Sequence, residues 1–320
     1  MSVWMRAGVI SLAVMCSAAH AGSISRRIDV QGQPRTYTLY VPASASKSAP
    51  APLVIALHGG LGQGRSMAAL SGFSQLAEHE GFLVAYPDGL RRHWRDGRTM
   101  PGGTVAEEAD DVAFIAALLD DAARLHALDA RRIYATGMSN GAIFAHYLAL
   151  KLGDRIAAIA PVAGGIATEA AADFHPAAPV SVLMINGRDD PLVPYKGGAV
   201  AKTHGSIVPT ERALQLWLDA DGLHGEPRVR TVAAKKAGDC SELWQTWSGG
   251  GEGSAVTLVS LAGGGHTWPG GKPYMPAFVV GAVCPELDAT RTIWEFFKQH
   301  PKPRETSKQV VTRESEETTA

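Results

Sequence analysis

Charge of one sign is what this chain most plainly lacks. Its 320 residues carry 30 Lys and Arg against 31 Asp and Glu, a formal charge of -1. Such a balance leaves no basic face for nucleic acid and no polybasic attraction to a membrane surface. The charged fraction is also low, 19% against the roughly 25% usual in soluble domains. Cysteine occurs three times, with neither a Cys-x-x-Cys nor a His-x-x-x-His spacing, so no zinc site is expected. No apolar run approaches the ~18 residues that a membrane-spanning helix needs. Glycine is abundant, at 35 residues, but without a period, which excludes a collagen repeat. The remaining class is a globular, loop-rich chain long enough for one sizeable core.

The first residues read as an export signal. Arg6 precedes an apolar run from Ala7 to Ala19, and Ala19-His20-Ala21 has the small-x-small form that a signal peptidase requires. Residues 1–21 are therefore expected to be removed, and the product to be secreted or periplasmic. A lipoprotein reading of Cys16 meets an obstacle in Met15, too bulky for the position before a lipidated cysteine. Loss of Cys16 leaves Cys240 and Cys284, an even pair in an oxidising compartment. A bridge between them would close a loop of about 45 residues and, on the chain-entropy model, stabilise by roughly 4 kcal/mol.

From Ile28 to Pro42 polar and apolar residues alternate around Gln31-Gly32, as in an antiparallel hairpin. The pattern then changes to short continuous apolar runs: Leu53–Leu57, Phe82–Tyr86, Ile133–Thr136, Ile156–Val162, Val180–Ile185 and Val256–Leu261. Runs of that kind are strands covered on both faces, hence parallel. Helical stretches separate them: Met67–His79, Ala109–Leu125, Ala142–Leu152, Thr210–Leu218 and Leu287–Phe297. The alternation predicts an α/β fold, a mostly parallel doubly wound sheet with helices on both faces, in one domain over residues 22–300. Residues 301–320, rich in Ser, Thr and charge, are expected to form a disordered tail.

Gly137-Met138-Ser139-Asn140-Gly141 joins a predicted strand to a predicted helix. In that setting Gly-x-Ser-x-Gly is a sharp turn whose serine stands clear of the sheet and whose neighbours must be small. A serine needs a base to take its proton and a carboxylate to orient that base, and on this scaffold both follow it, acid before histidine. Asp189 and Asp190 lie just beyond one strand and His266 beyond another, at ends that face the same crevice as Ser139. His146, His175, His204, His224 and His300 lack that placement. For the oxyanion the chain offers the N–H of Asn140 and one from the loop His58-Gly59-Gly60-Leu61-Gly62, with Gly60 preferred over Leu61. His58 precedes the serine and reads as a brace for this loop. Trp94, Tyr195 and Trp268, beside these motifs, are candidates to wall a substrate pocket, and Asp110-Asp111 reads as the cap of a helix.

Leu57-His58-Gly59-Gly60, Tyr86-Pro87-Asp88-Gly89, Trp94 with Asp96-Gly97-Arg98, Gly137 to Gly141, Asp190-Pro191 and Gly265-His266-Thr267-Trp268-Pro269-Gly270 occur in this order. Together they resemble the secreted esterases that join polyhydroxybutyrate depolymerases to feruloyl and acetylxylan esterases. The resemblance runs from about Arg35 to His300. It implies an α/β-hydrolase fold, a Ser-His-Asp triad without metal or cofactor, and an ester substrate; the aspartate directly before the proline, Asp190, is then the acid. Asn186 stands where histidine is common in that family, outside the triad. With no long linker and no added polymer-binding domain in the sequence, soluble esters or oligomers are expected ahead of crystalline polyester.

Overall fold

The computed structural model describes residues 22–45, 49–99, 110–236 and 238–304. The stretch read as an export signal and the tail beyond residue 304 lie outside them. In chain order the elements are β1 (Gly22–Val30), β2 (Gln33–Val41), β3 (Ala51–Leu57), α1 (Gly64–Ser71), α2 (Phe73–Glu80), β4 (Leu83–Pro87), α3 (Asp111–Leu125), β5 (Leu128–Met138), α4 (Asn140–Leu152) and β6 (Ala158–Val162). There follow α5 (Thr168–Ala172), β7 (Ser181–Gly187), β8 (Gly198–Ala199), β9 (Ser206–Ile207), α6 (Thr210–Asp221), β10 (Arg228–Val232), β11 (Ser241–Ser248), β12 (Ala255–Ala262), α7 (Ala277–Val280) and α8 (Ala289–Gln299).

One sheet runs in the order β1-β2-β4-β3-β5-β6-β7-β12-β11-β10. From β4 to β12 every pairing is parallel, and the flanking strands pair antiparallel on both edges. The first edge is the expected hairpin. Gln31 and Gly32 both take positive φ (55° and 82°), the two-residue turn whose twist matches the strands it joins. The second edge, β10 and β11, does not stand out as an apolar run. β10 is mostly exposed and β11 only partly covered, and neither carries a continuous apolar run.

Side chains of the central strands alternate between two cores. On β3, Leu53, Ile55 and Leu57 pack with Phe114, Leu148 and Trp217 of α3, α4 and α6. Val54 and Ala56 point the other way, into the layer holding Met67, Phe73 and Phe297 of α1, α2 and α8. This two-sided burial is why the parallel strands read as unbroken apolar runs. The stretch Met67–His79, expected as one helix, is two: Gly72 sits in the left-handed region (φ 67°) and both caps α1 and opens α2. The last helix starts later than expected, at Ala289, because Asp288 caps it by accepting from Arg291 N at 2.9 Å. Asp110 caps α3 by accepting from Ala113 N at 2.8 Å, while Asp111 forms a buried ion pair with Arg35 at 2.5 Å. Residues 301–304 run along the body, where Lys302 N donates to Arg131 O at 2.8 Å. Among the described residues no helix is long and apolar enough to cross a membrane.

The parallel arrangement places the carboxyl ends of β3, β5, β7 and β12 along one side of the sheet. The loops leaving those ends carry His58 to Gly62, Ser139, Asp190 and His266.

Candidate active site

Ser139 sits between β5 and α4 with φ 59° and ψ -123°, a region that side-chain-bearing residues seldom occupy. Packing enforces that turn. A Cβ on Gly141 would lie 2.4 Å from Leu57 O and 2.6 Å from His58 O, and one on Gly137 would lie 2.7 Å from the backbone of Gly141. These are backbone atoms of adjoining segments, so no side-chain rotation relieves the clash. Ser139 N donates to Val162 O at 3.1 Å, tying the turn to the neighbouring strand.

Asp190 and His266 come together beyond β7 and β12. His266 Nδ1 lies 2.7 Å from Asp190 Oδ2, and both side chains are almost wholly buried. The other carboxylate oxygen, Oδ1, accepts from the N–H groups of Leu192 and Val193, each at 2.8 Å. The carboxylate is thus held at both oxygens, and the imidazole is held by the carboxylate. Asp189, the sequence alternative, is exposed and does other work: its carboxylate accepts from Gly263 N at 2.9 Å, and its own N–H donates to Gly264 O at 3.0 Å. It pins the loop that leads to His266.

That loop is fastened from a distance. Gly265 N donates to Ala282 O at 2.9 Å, His266 N to Val280 O at 2.5 Å, and Gly270 N to Cys284 O at 2.9 Å. Cys284 is in turn joined to Cys240 by a disulfide, as the cysteine count led us to expect. Tyr274 adds a side-chain tie, its hydroxyl donating to His266 O at 3.1 Å.

Opposite lies the loop after β3. Leu61 N donates to Arg92 O and Gly62 N to Gly59 O, both at 2.9 Å, so neither N–H is open to a ligand. His58 is committed through both ring nitrogens. Nδ1 meets Gly59 O at 2.7 Å, and Nε2 accepts from Gly89 N at 2.9 Å. Burial lowers its pKa, in keeping with a neutral ring that accepts at Nε2. Asn140 opens α4, where a backbone N–H has no acceptor within its own helix. Its side chain is locked elsewhere: Oδ1 accepts from Trp94 N at 2.8 Å, and Nδ2 donates to Asp96 Oδ2 at 2.6 Å. Asp96 pairs with Arg98 at 2.6 Å, both side chains being 2% exposed. The Trp94 and Asp96 motif therefore serves to hold the residue after Ser139.

Ser139 and His266 line one cavity of about 170 Å³ together with Gly60, Met67, Leu70 and Tyr274. The three aromatic residues expected to wall it do not. Trp94 is buried between His58 and Phe144 with its ring stacked on the latter at 5.2 Å, and its Nε1 donates to His58 O. Tyr195 is buried and hydrogen-bonded to Ser260 Oγ at 2.6 Å. Trp268 is buried against Phe73. Each packs a motif loop, and Trp268 lines a separate neighbouring hollow. The real walls went unrecognised: Met67 and Leu70 stand three apart on α1, and that helical spacing directly after the glycine loop was the available signal. Tyr274 had none beyond lying a few residues past His266. Among the described residues, no group of three or more His, Cys, Asp or Glu side chains is placed to hold a metal ion.

Comparison with known proteins supplies the context. Residues 35–204 match the family model described as "Esterase PHB depolymerase". The chain is 31% identical over 293 residues to a protein of Nocardia uniformis subsp. tsuyamanensis named "Putative esterase NocK", covering 87% of this chain and 83% of that one. It is 29% identical over 236 residues to feruloyl esterase B of Piromyces equi, covering 72% of this chain but 42% of the fungal protein. In structure it superposes on an acetyl xylan esterase from Aspergillus awamori with a TM-score of 0.53 at 16% identity, over 76% of this chain and 94% of that one. That last likeness speaks for the fold. With the family model spanning more than half of the chain and a relative aligned along most of its length, this protein belongs to the esterase PHB depolymerase family of carboxylic ester hydrolases, on an α/β-hydrolase fold.

Proposed function

We propose that Ser139, His266 and Asp190 form the catalytic triad of this esterase. The observation that carries the reading is the buried 2.7 Å contact between His266 Nδ1 and Asp190 Oδ2, beside a cavity that His266 shares with Ser139. With Nδ1 engaged by the carboxylate, Nε2 is the nitrogen left to take the serine proton. Ser139 Oγ attacks the ester carbonyl, and its proton passes to His266. The N–H groups of Gly60 and Asn140 receive the oxyanion, Leu61 being committed to Arg92. Collapse breaks the acyl–oxygen bond, His266 returns the proton to the leaving alcohol, and the acyl group stays on Ser139. Water, deprotonated by the same imidazole, then releases the acid.

The substrate we infer is a short, soluble hydroxyalkanoate ester or oligomer. A cavity of about 170 Å³ walled by Met67, Leu70 and Tyr274 suits a short apolar acyl chain better than a long one. A second reading, an aromatic acyl ester of the plant cell wall, is favoured by the aromatic ring of Tyr274 at the cavity and by the similarity to feruloyl esterase B. We further propose that the protein works outside the cytoplasm. Support comes from the buried Cys240–Cys284 bridge, which a reducing cytosol does not maintain, and from the signal-like first 21 residues.

Hydroxybutyrate oligomers, methyl ferulate and acetylated xylan, assayed side by side, decide the substrate; the highest kcat/KM is expected for the oligomers. Ser139→Ala is expected to abolish turnover of all three and of p-nitrophenyl acetate. Wild-type turnover in that variant would overturn the triad.

A further inference from the structure

The Ser139 cavity has a neighbour. Leu70 walls it on one side and on the other walls a second hollow of about 420 Å³, set between α1, α2 and the loop after Trp268. Trp268 closes the floor, its Nε1 donating to Thr290 Oγ1 at 3.0 Å. The rim carries Gln75 and His79 from α2, Lys272 from the loop, and Asp288 and Arg291 from the head of α8.

The charges of this hollow do not cancel. Asp288 is its single carboxylate, and it is already engaged: Oδ1 accepts from Arg291 N at 2.9 Å, and Oδ2 lies 4.0 Å from Arg291 Nε. Lys272 enters no ion pair among the described residues. Lys272 and Arg291 against Asp288 leave the lining one positive charge in excess, while Glu80, outside the lining, also acts on Arg291. The hollow also adjoins the Ser139 cavity, with which it shares Leu70. Lys272 lines the hollow and Tyr274 the cavity, and two residues of chain span at most about 7 Å.

We propose that this hollow is an anion subsite, which receives a carboxylate carried by the far end of the ester bound at Ser139. The inference rests on the triad reading and narrows its substrate class to acid-terminated esters. A hydroxyacid oligomer has such a terminus, and each cleavage of an oligomer generates another. A uronic acid within a saccharide ester offers the same carboxylate, so the test separates the two sources. Because the cations are exposed, the attraction is of surface strength and is screened by salt.

The test compares kcat/KM of the full chain on two pairs, the hydroxybutyrate dimer as free acid and as methyl ester, and O-acetylated glucuronic acid and its methyl ester. At low ionic strength the free acid of the hydroxybutyrate pair is expected to be preferred about fivefold, and the preference to vanish near 0.5 M salt. In the K272E/R291E double variant, with a thermal melt confirming the fold, the acid-to-ester ratio is expected to fall below one. A preference confined to the glucuronate pair would assign the subsite to saccharide esters. Equal rates within both pairs at low salt, or a ratio unmoved in the variant, would overturn the subsite. Failure of the triad reading shows separately, as turnover of either pair by S139A.

Discussion

The two halves of the proposed triad are held in opposite ways. Ser139 is fixed by its immediate surroundings: a strand end, a helix start, and two glycines, Gly137 pressed against Gly141 and Gly141 against the backbone of β3 and its loop. His266 lies on a loop without regular structure of its own. It is held by a carboxylate from β7, by three backbone bonds to residues 280–284, and by a disulfide reaching back to residue 240. A site can therefore combine a nucleophile whose geometry is written in five consecutive residues with a base whose geometry depends on the whole fold. The first resists change because any added atom collides with backbone; the second depends on ties that can be cut one at a time.

Cutting into the first half should have the largest effect. Gly141→Ala places a methyl 2.4 Å from Leu57 O, and only movement of β3 or α4 relieves it. The expected outcome is loss of soluble, folded protein, or destabilisation beyond about 4 kcal/mol, read by chemical denaturation. Next comes the base's nearest tie. Asp190→Asn keeps the volume but offers an amide where the imidazole N–H needs an acceptor, favouring the wrong tautomer. A drop of about 10³- to 10⁴-fold in kcat is expected with little change in melting temperature. A fall of less than tenfold would show that the backbone ties alone orient His266. A smaller effect is expected from the remote tie. The C240S/C284S double variant should lower kcat about tenfold with KM nearly unchanged, and lower stability by about 4 kcal/mol. An unchanged kcat alongside a lowered stability would make the bridge purely structural.

The same contrast explains what the sequence made legible. The elbow and the strands around it are local patterns, so the sharp turn at Ser139 and the central strands, with Asp190 and His266 beyond their ends, could be read from residues 53 to 266. Gly60 and Leu61 could both be named as candidate oxyanion donors, but that the Leu61 N–H is taken by Arg92 O, from another loop, could not be read. The split at Gly72 was hidden because the apolar pattern runs on across it. The strands β10 and β11 were hidden because, exposed or only partly covered, they carry no continuous apolar run of the kind that marks the buried parallel strands. Trp94, Tyr195 and Trp268 lie off the Ser139 cavity for one reason: a large aromatic next to a motif is as useful for packing the loop as for meeting a substrate, and here all three are 7% exposed or less. The cavity walls come from α1 and from residue 274, joined only by the fold.

The smallest effect at neutral pH sharpens the comparison from the elbow side. His146 lies on α4, the helix that Ser139 opens, fully enclosed, with Nδ1 accepting from Trp217 Nε1 at 3.0 Å and Nε2 without a partner. Burial pushes its pKa down to about 3 from an ordinary value near 6.5. Between those values the unfolded chain binds a proton that the folded one refuses, so stability from this group is complete above pH 6.5 and is lost as the pH falls toward 3, by about 1 kcal/mol per pH unit. Asp221 runs the other way. Burial raises its carboxyl to about 6, so it contributes most below pH 4 and loses that contribution as the pH rises through 6. The two partly offset each other in the window they share. His146→Gln keeps an acceptor for the Trp217 indole and removes the titration. Its stability at pH 7 should lie within about 1 kcal/mol of the parent, while between pH 6 and 4 the parent should lose stability faster than the variant. Parallel denaturation curves across that range would show that His146 is protonated in the folded state and that the helix behind Ser139 carries no acid weakness of its own.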